Sequence, residues 1–370
     1  MSDKDILLYR KILEVGQNRL LSVLNRKSYM TRLTPYFSNN YNFLYGMTGI
    51  LYGLEQLEKN IPQYLIDSTL EQIEESENDV SISSVSKGKL GALITIYKFT
   101  LDKHLEYKIR NLLNYEFSKL TLSKEKNYSL ANGLAGVGFL SLIMFKLTKN
   151  DYYLSITDIV AKIILQHKIV LTKFGLAYGN TGLALFLIKY YIYNKQAIFL
   201  KCAKKYLLID IQEGQLKNNK NKLRGIIKSA EENIPYIYLP YGTSGIIKTI
   251  IVYLKQVEDY ALKAELSFLV NSLKISSTLQ SGYIFGTAGV ISTLNDVLNF
   301  AENDPYCIKK YMKRLIESLL STGYRIKDQI IFPGDQNFRE FIDYGSGLTG
   351  ILLTFKKLID SKEFDPIFKD

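Results

Sequence analysis

The sequence predicts an all-α fold, an α/α toroid of seven inner and seven outer helices. Three observations carry this: a paired-glycine motif recurs seven times, each copy opens an apolar helix, and an amphipathic segment separates the copies. A supersecondary unit repeated at a fixed period buries its apolar face against its neighbours.

The motif is a Gly, two residues, a second Gly, then a strongly apolar run. Its copies are YGMTGILYGL from Tyr45, KGKLGALITIY from Lys87, NGLAGVGFLSL from Asn132, YGNTGLALFLI from Tyr178, YGTSGIIKTII from Tyr241, FGTAGVISTL from Phe285 and SGLTGILLTF from Ser346. The first glycines are Gly46, Gly88, Gly133, Gly179, Gly242, Gly286 and Gly347, spaced by 42, 45, 46, 63, 44 and 61 residues. The two long intervals read as insertions on loops. One such glycine pair is a weak signal, but seven in order are not a chance pattern.

Each unit reads as two helices. The runs Gly182–Ile188 and Gly245–Leu254 are apolar on all sides, which marks buried helices. The segments Asp102–Leu120, Ala197–Ile211 and Tyr306–Leu320 are amphipathic and charged, as helices with one wet face are. An N-terminal helix over Lys4–Asn25 and a last buried helix over Leu348–Ile359 complete seven of each kind. An open solenoid needs polar end caps, and neither end unit is polar, so a closed ring is expected. In each pair the first Gly permits a tight turn and the second a close backbone approach, while Thr or Ser between them serves as a cap. Equivalent repeats run their inner helices parallel. The glycine loops then share one mouth, with helix N-termini and free N–H groups that favour an anion.

The remaining totals exclude several classes. Two cysteines rule out a disulfide framework and fit a reducing cytoplasm. The charged N-terminus MSDKDILLYRKILEV has no apolar signal core, and no apolar run approaches the length of a membrane span. The net charge of +11 is uneven: residues 195–228 hold nine Lys or Arg against two acids, and residues 55–79 hold eight acids against one base. These read as solvated faces, or as a basic patch for an acidic or phosphorylated peptide; no nucleic-acid-binding motif is present. We expect one domain over 1–370.

GLAYGNTGLALFLIKYY, followed by FLKCAKKYLLIDI, resembles the fourth repeat of the cyclase domain of class III lanthipeptide synthetases. IYLPYGTSGIIKTII is similar to the fifth, and FPGDQNFREFIDYGSGLTGILLTF to the last, with its Gly-acid-Gln-x-x-Arg segment. The resemblance spans residues 45–360. It implies an α/α toroid that adds a peptide cysteine thiol to dehydroalanine or dehydrobutyrine, forming lanthionine, methyllanthionine or labionin rings. Partners are then a precursor peptide (leader plus core) and kinase and lyase domains, in cis or in trans. This chain carries no Gly-rich kinase loop, HRD-type loop or DFG segment. The zinc ligands of metal-dependent members correspond to Pro240, Ile284 and Phe285, and their fourth-repeat His to Tyr178. None of these is a zinc ligand of the usual kind, so no metal and no cofactor are expected, as in class III. His104, His167, Cys202 and Cys307 fall on outer-helix segments and read as structural or surface residues.

Without zinc, the chemistry needs a base for the thiol, an acid for the enolate carbon and stabilisation of the enolate. The candidate catalytic residues are Tyr241, Tyr178, Arg339, Asp343 and Asp335, and the candidate substrate-binding residues are Tyr45, Lys87, Gly179, Gly242, Gly286, Tyr283 and Tyr344. Tyr45, Tyr178 and Tyr241 each precede a first Gly, which directs them to one end of the repeat. The bland alternatives are a packed tyrosine rim and an Asp–Arg pair fixing the last loop. A scaffold that only binds peptide or partner domains is the second functional reading. A glycosidase on the same fold is the third; few loop carboxylates and no Trp weigh against it.

Overall fold

The computed structural model describes residues 3–26, 32–33, 40–76, 84–85, 88–167, 169, 171–214, 226–227, 235–301, 307–334 and 339–369. Among them fourteen α-helices alternate in two kinds. The amphipathic kind is α1 (Asp3–Leu24), then α3 (Gln63–Glu75), α5 (Lys103–Leu122), α7 (Asp151–Gln166), α9 (Ala197–Gly214), α11 (Tyr260–Val270) and α13 (Ile308–Thr322). The buried kind is α2 (Met47–Gln56), α4 (Lys89–Thr100), α6 (Leu134–Thr148), α8 (Asn180–Asn194), α10 (Thr243–Leu254), α12 (Thr287–Phe300) and α14 (Leu348–Asp360). Every residue of α10 is buried, whereas α5 buries only a stripe at Leu105, Ile109, Leu113 and Glu116. These are the all-round and one-sided apolar patterns legible in the sequence.

The two long intervals hold the strands. The first has β1 (Ile226–Ile227) antiparallel to β2 (Pro235–Tyr236); the second has β3 (Tyr324–Ile326) antiparallel to β4 (Gln329–Ile331).

The first glycine of every motif is the N-cap of its buried helix, with extended backbone and no side-chain cap. Glycine is needed there for space, not for an unusual dihedral: a Cβ on Gly242 would lie 2.2 Å from the Tyr236 carbonyl oxygen. The second glycine, one turn on, packs against its own loop, and a Cβ on Gly350 would come 2.1 Å from the Tyr344 carbonyl oxygen. The Thr and Ser between them do not cap, which corrects the expectation. The hydroxyls of Thr243 and Thr349 donate seven residues back, to the carbonyls of Tyr236 and Ile342, tying those two helix starts to the loops before them.

The chain divides into two compact units, Met1–Glu75 with Val270–Asp370, and Ser76–Leu269. In the first, α14 packs against α1, α2 and α12, and α13 covers α12. Residues 361–369 fold back onto it, burying Phe364 and Phe368; the Tyr52 hydroxyl donates to the Phe364 carbonyl at 2.7 Å. In the second, α4 packs on α6, α6 on α8 and α8 on α10, with α5, α7 and α9 against their outer faces. Among the described residues no helix is long and apolar enough to cross a membrane.

Candidate active site

Backbone hydrogen bonds bring the glycine loops of each unit together. In the second unit the Val85 N–H donates to the Ala131 carbonyl at 3.1 Å, Ala131 to Ala177 at 2.8 Å, and Ala177 to Pro240 at 2.8 Å. In the first, Ile284 donates to Gly345 at 2.8 Å and Gly345 to Leu44 at 2.6 Å. From Ala131 onward all of these residues stand two places before a first Gly. One repeat position therefore forms a ladder, and the buried helices within a unit start at the same end. In the first, third and sixth loops the expected free N–H groups of the first turn are taken up. Met47 and Thr48 donate to the Asn40 and Tyr41 carbonyls, Leu134 and Ala135 to those of Asn127 and Tyr128, and Thr287 and Ala288 to those of Gln280 and Ser281. Loop carbonyls seven residues upstream satisfy the first turn.

The second unit pairs two of the candidate catalytic residues. Tyr178 and Tyr241, on the adjoining fourth and fifth loops, stack with ring centroids 5.6 Å apart and planes 12° from parallel. Both are half-buried, beside the N-caps Gly179 and Gly242. Burial, then the neighbouring Tyr178 and a hydrogen bond with it, push the Tyr241 phenol up to about 12. Tyr241 is thus a protonated donor throughout the neutral range. The Lys173 ammonium lies 5.1 Å from the centre of the Tyr178 ring.

Fourth-loop geometry has a source that the sequence reading missed. Asp210, fully buried on α9, accepts from the Gly175 N–H at 3.0 Å, the Asn180 N–H at 3.1 Å and Nδ2 at 2.9 Å, and the Thr181 N–H and Oγ1 at 2.7 Å each. It is the one acid on the buried stripe Ala203, Tyr206, Leu207, Asp210, Ile211 of α9, and that misfit was the available signal.

The first unit treats its candidates differently. Tyr283 and Tyr344 are buried and stack edge-on, 5.2 Å between centroids. The Tyr283 hydroxyl donates to the Asp365 carboxylate at 2.8 Å, and burial pushes both phenols far above the usual tyrosine range. Tyr45 is also buried, its ring against the Gly345 backbone, and Gly286 caps α12. None of the three tyrosines is open to a peptide. Asp343 is fully buried and accepts from the Ser346 N–H at 2.7 Å and its Oγ at 3.1 Å. Asn42 stands at the same place in the first loop and accepts the Tyr45 N–H at 2.8 Å. An uncharged amide does there what Asp343 does here, so the loop requires an acceptor oxygen and not a charge. Asp343→Asn will keep the melting temperature within about 2 °C of wild type. Asp343→Ala, which leaves buried donors unpaired, will cost about 1–3 kcal/mol in urea unfolding.

Arg339 is exposed, its guanidinium 5.2 Å from the centre of the Phe341 ring. Among the described residues, the Arg19–Glu340 ion pair ties down this loop. Lys87 and Asp335 lie outside the described residues.

A metal does not fit the matching positions: Pro240, Ile284 and Phe285 offer no side-chain donor, and Tyr178 is stacked on Tyr241. Among the described residues no three His, Cys, Asp or Glu side chains come together as a metal site. His104, His167 and Cys202 lie on or at the end of α5, α7 and α9, and Cys307 begins α13.

The family model described as "Lanthionine synthetase C-like protein" matches residues 6–220 and 170–369. The chain belongs to this family. Nisin cyclase superposes with a TM-score of 0.63 at 16% identity, over 94% of this chain and 95% of that one. This shows the fold, and the class is the all-α, α/α toroid that the repeat predicts. A mutant unsaturated glucuronyl hydrolase from Streptococcus agalactiae aligns at a TM-score of 0.49 and 11% identity, over 97% of this chain and 93% of that one. No curated protein matches.

Proposed function

We propose that the chain is a zinc-independent lanthipeptide cyclase of the class III kind, acting in the cytoplasm on a dehydrated precursor peptide alongside kinase and lyase domains. Family membership supports cyclase chemistry on a peptide, as the name of nisin cyclase says of that protein. The observation that carries the finer reading is the stacked Tyr178–Tyr241 pair, standing where metal-dependent relatives keep a histidine and the residue after a zinc ligand.

In the reaction the peptide thiol loses its proton and the thiolate attacks Cβ of the dehydro residue. The C–S bond forms as the alkene π pair moves onto Cα as an enolate, and a proton reaches Cα. Tyr241 is the donor of that proton, which its phenolate regains from solvent, or of the hydrogen bond that stabilises the enolate oxygen, and Tyr178 holds its hydroxyl. Arg339, exposed on the last loop, and Asp335 are the remaining candidates from the sequence. Tyr241, its phenol raised to about 12, is not a base at neutral pH, so thiol ionisation is left to solvent and positioning supplies the rest.

The test is mass-spectrometric loss of free thiol from a dehydrated, cysteine-containing precursor, with and without the protein and with a zinc chelator. We expect chelator-resistant acceleration that rises about tenfold per pH unit from 6 to 8, because a thiol with pKa near 8.5 is only about 3% ionised at pH 7. A rate that is flat over this range or abolished by the chelator would contradict the zinc-free reading. Peptide binding with no acceleration would favour the scaffold.

A further inference from the structure

We infer that Asp210 is a positioning residue that sets the fourth loop so that Tyr178 meets Tyr241. The inference rests on the reading of Tyr241 as the proton donor.

The fourth loop breaks the pattern of the repeat. In the first, third and sixth loops the first two N–H groups of the buried helix donate to carbonyls seven residues upstream. In the last loop Leu348 donates to Phe341 in the same way. The equivalent donors of the fourth repeat are Asn180 and Thr181, and the equivalent acceptors would be the carbonyls of Lys173 and Phe174. Both donors go instead to the carboxylate of Asp210, thirty and twenty-nine residues ahead. The side chain of an outer helix has taken over the work of the loop backbone, so the loop is free of the path that the other loops follow.

Its actual path leads to the fifth loop. Gly175, whose N–H donates to the same Asp210 oxygen as that of Thr181, sits at φ +92°, in the left-handed region that a side chain rarely adopts. A Cβ there would lie 2.8 Å from the Tyr241 carbonyl carbon and 2.9 Å from its Cα. The fourth loop therefore lies directly on the backbone of Tyr241. Two residues later Ala177 donates to the Pro240 carbonyl, and Tyr178 then stacks on Tyr241. Asp210 grips this segment at both ends, at Gly175 before the tyrosine and at Asn180 and Thr181 after it. Burial drives the Asp210 carboxyl up and its hydrogen bonds from Asn180, Thr181 and Gly175 draw it back down, so the five donors are what make a buried carboxylate tolerable. Asp210 touches neither ring. Its effect on the reaction runs through where the rings are held.

Two readouts test this, one of which needs no activity. With ring-labelled tyrosine, and signals assigned through Tyr178→Phe and Tyr241→Phe, the nuclear Overhauser contact between the two rings is measured at neutral pH. Cyclisation is measured on the same samples. We expect Asp210→Asn to abolish the ring-to-ring contact and to lower kcat about tenfold with KM within twofold of wild type. Thr181→Val removes one donor in an isosteric residue and keeps the protein testable should Asp210→Asn fail to fold; it will weaken the contact and lower kcat by about threefold. In a Tyr178→Phe background Asp210→Asn will cost little further rate, because the positioned group is already gone. An intact ring contact in the folded variants, or rate losses that simply multiply with Tyr178→Phe, overturns the inference. Loss of the contact in a protein whose wild type shows no thiol addition upholds the positioning role and refutes the cyclase reading instead.

Discussion

Tyr241→Phe will lower the rate of ring closure by about 10²–10⁴-fold, the range that a positioned proton donor contributes. At about 1.4 kcal/mol per tenfold this raises the barrier by roughly 3–5 kcal/mol. The substitution deletes one hydroxyl and keeps the ring, so the stack on Tyr178, 5.6 Å between centroids, survives. Because the side chain is only half-buried, the melting temperature will stay within about 2 °C of wild type, which separates a chemical loss from a folding loss. Tyr178→Phe removes the partner hydroxyl but leaves the donor, and will cost about tenfold.

The pH profile adds an independent mark. Tyr241 has its phenol raised from 10.0 to about 12, so its neutral form is favoured in the folded protein. A raised folded-state pKa means that the stabilising, donor-competent form is complete below pH 10 and is lost as pH climbs through 12. Wild-type rate will therefore rise with thiol ionisation, level off, and fall only at the alkaline extreme. In Tyr241→Phe the alkaline fall will be missing. A Phe variant within twofold of the wild-type rate would remove Tyr241 from the chemistry.

What the sequence disclosed follows a physical divide. Periodic features were legible because each repeat states them again. Gly46 through Gly347 mark the N-caps, and the predicted ends Lys4–Asn25 and Leu348–Ile359 fall within one residue of α1 and α14. The long intervals after Gly179 and Gly286 hold the hairpins. Tyr45, Tyr178 and Tyr241 were legible as one repeat position because each precedes a first Gly, but the stack of Tyr178 on Tyr241 was not. Features made by single distant contacts were not legible. Tyr283, read as part of the site, spends its hydroxyl on Asp365, 82 residues away. Asp210 and Glu340 act on partners 29 to 321 residues distant, with no local pattern to announce them. Asp343 was read for chemistry because a carboxylate stands beside a glycine loop, and its hydrogen bonds to Ser346 were not legible. Only comparison with Asn42 in the first loop exposes the bracing role.

The second large effect concerns stability. Arg19→Met will destabilise the unit formed by Met1–Glu75 and Val270–Asp370 by about 3–5 kcal/mol. Arg19 on α1 meets Glu340 through one edge of its guanidinium, Nε to Oε1 at 2.7 Å and Nη2 to Oε2 at 2.5 Å. Nη1 also donates to Gln329 on β4 at 3.1 Å, and the pair is nearly closed to water, with side chains 10% and 2% exposed. Glu340 sits opposite Pro333 across an isolated bridge, and two residues on Ile342 donates to the Arg32 carbonyl at 3.0 Å. The pair thus ties α1, the β3–β4 hairpin and the approach to the last glycine loop to one another. Removing Arg19 alone leaves a buried carboxylate whose one other cation among the described residues is Arg32, at 3.8 Å and 41% exposed, too distant and too wet to compensate. Taking out both charges leaves no such orphan. The double variant Arg19→Met with Glu340→Leu will recover most of the loss, since well-packed apolar residues replace a buried ion pair at little cost. Urea unfolding followed by circular dichroism gives all four corners of the cycle. If the single and double variants lose the same amount, the pair contributes through packing of the arginine stem and not through its charge. A single-variant loss below about 1 kcal/mol would mean that water reaches Glu340 in solution.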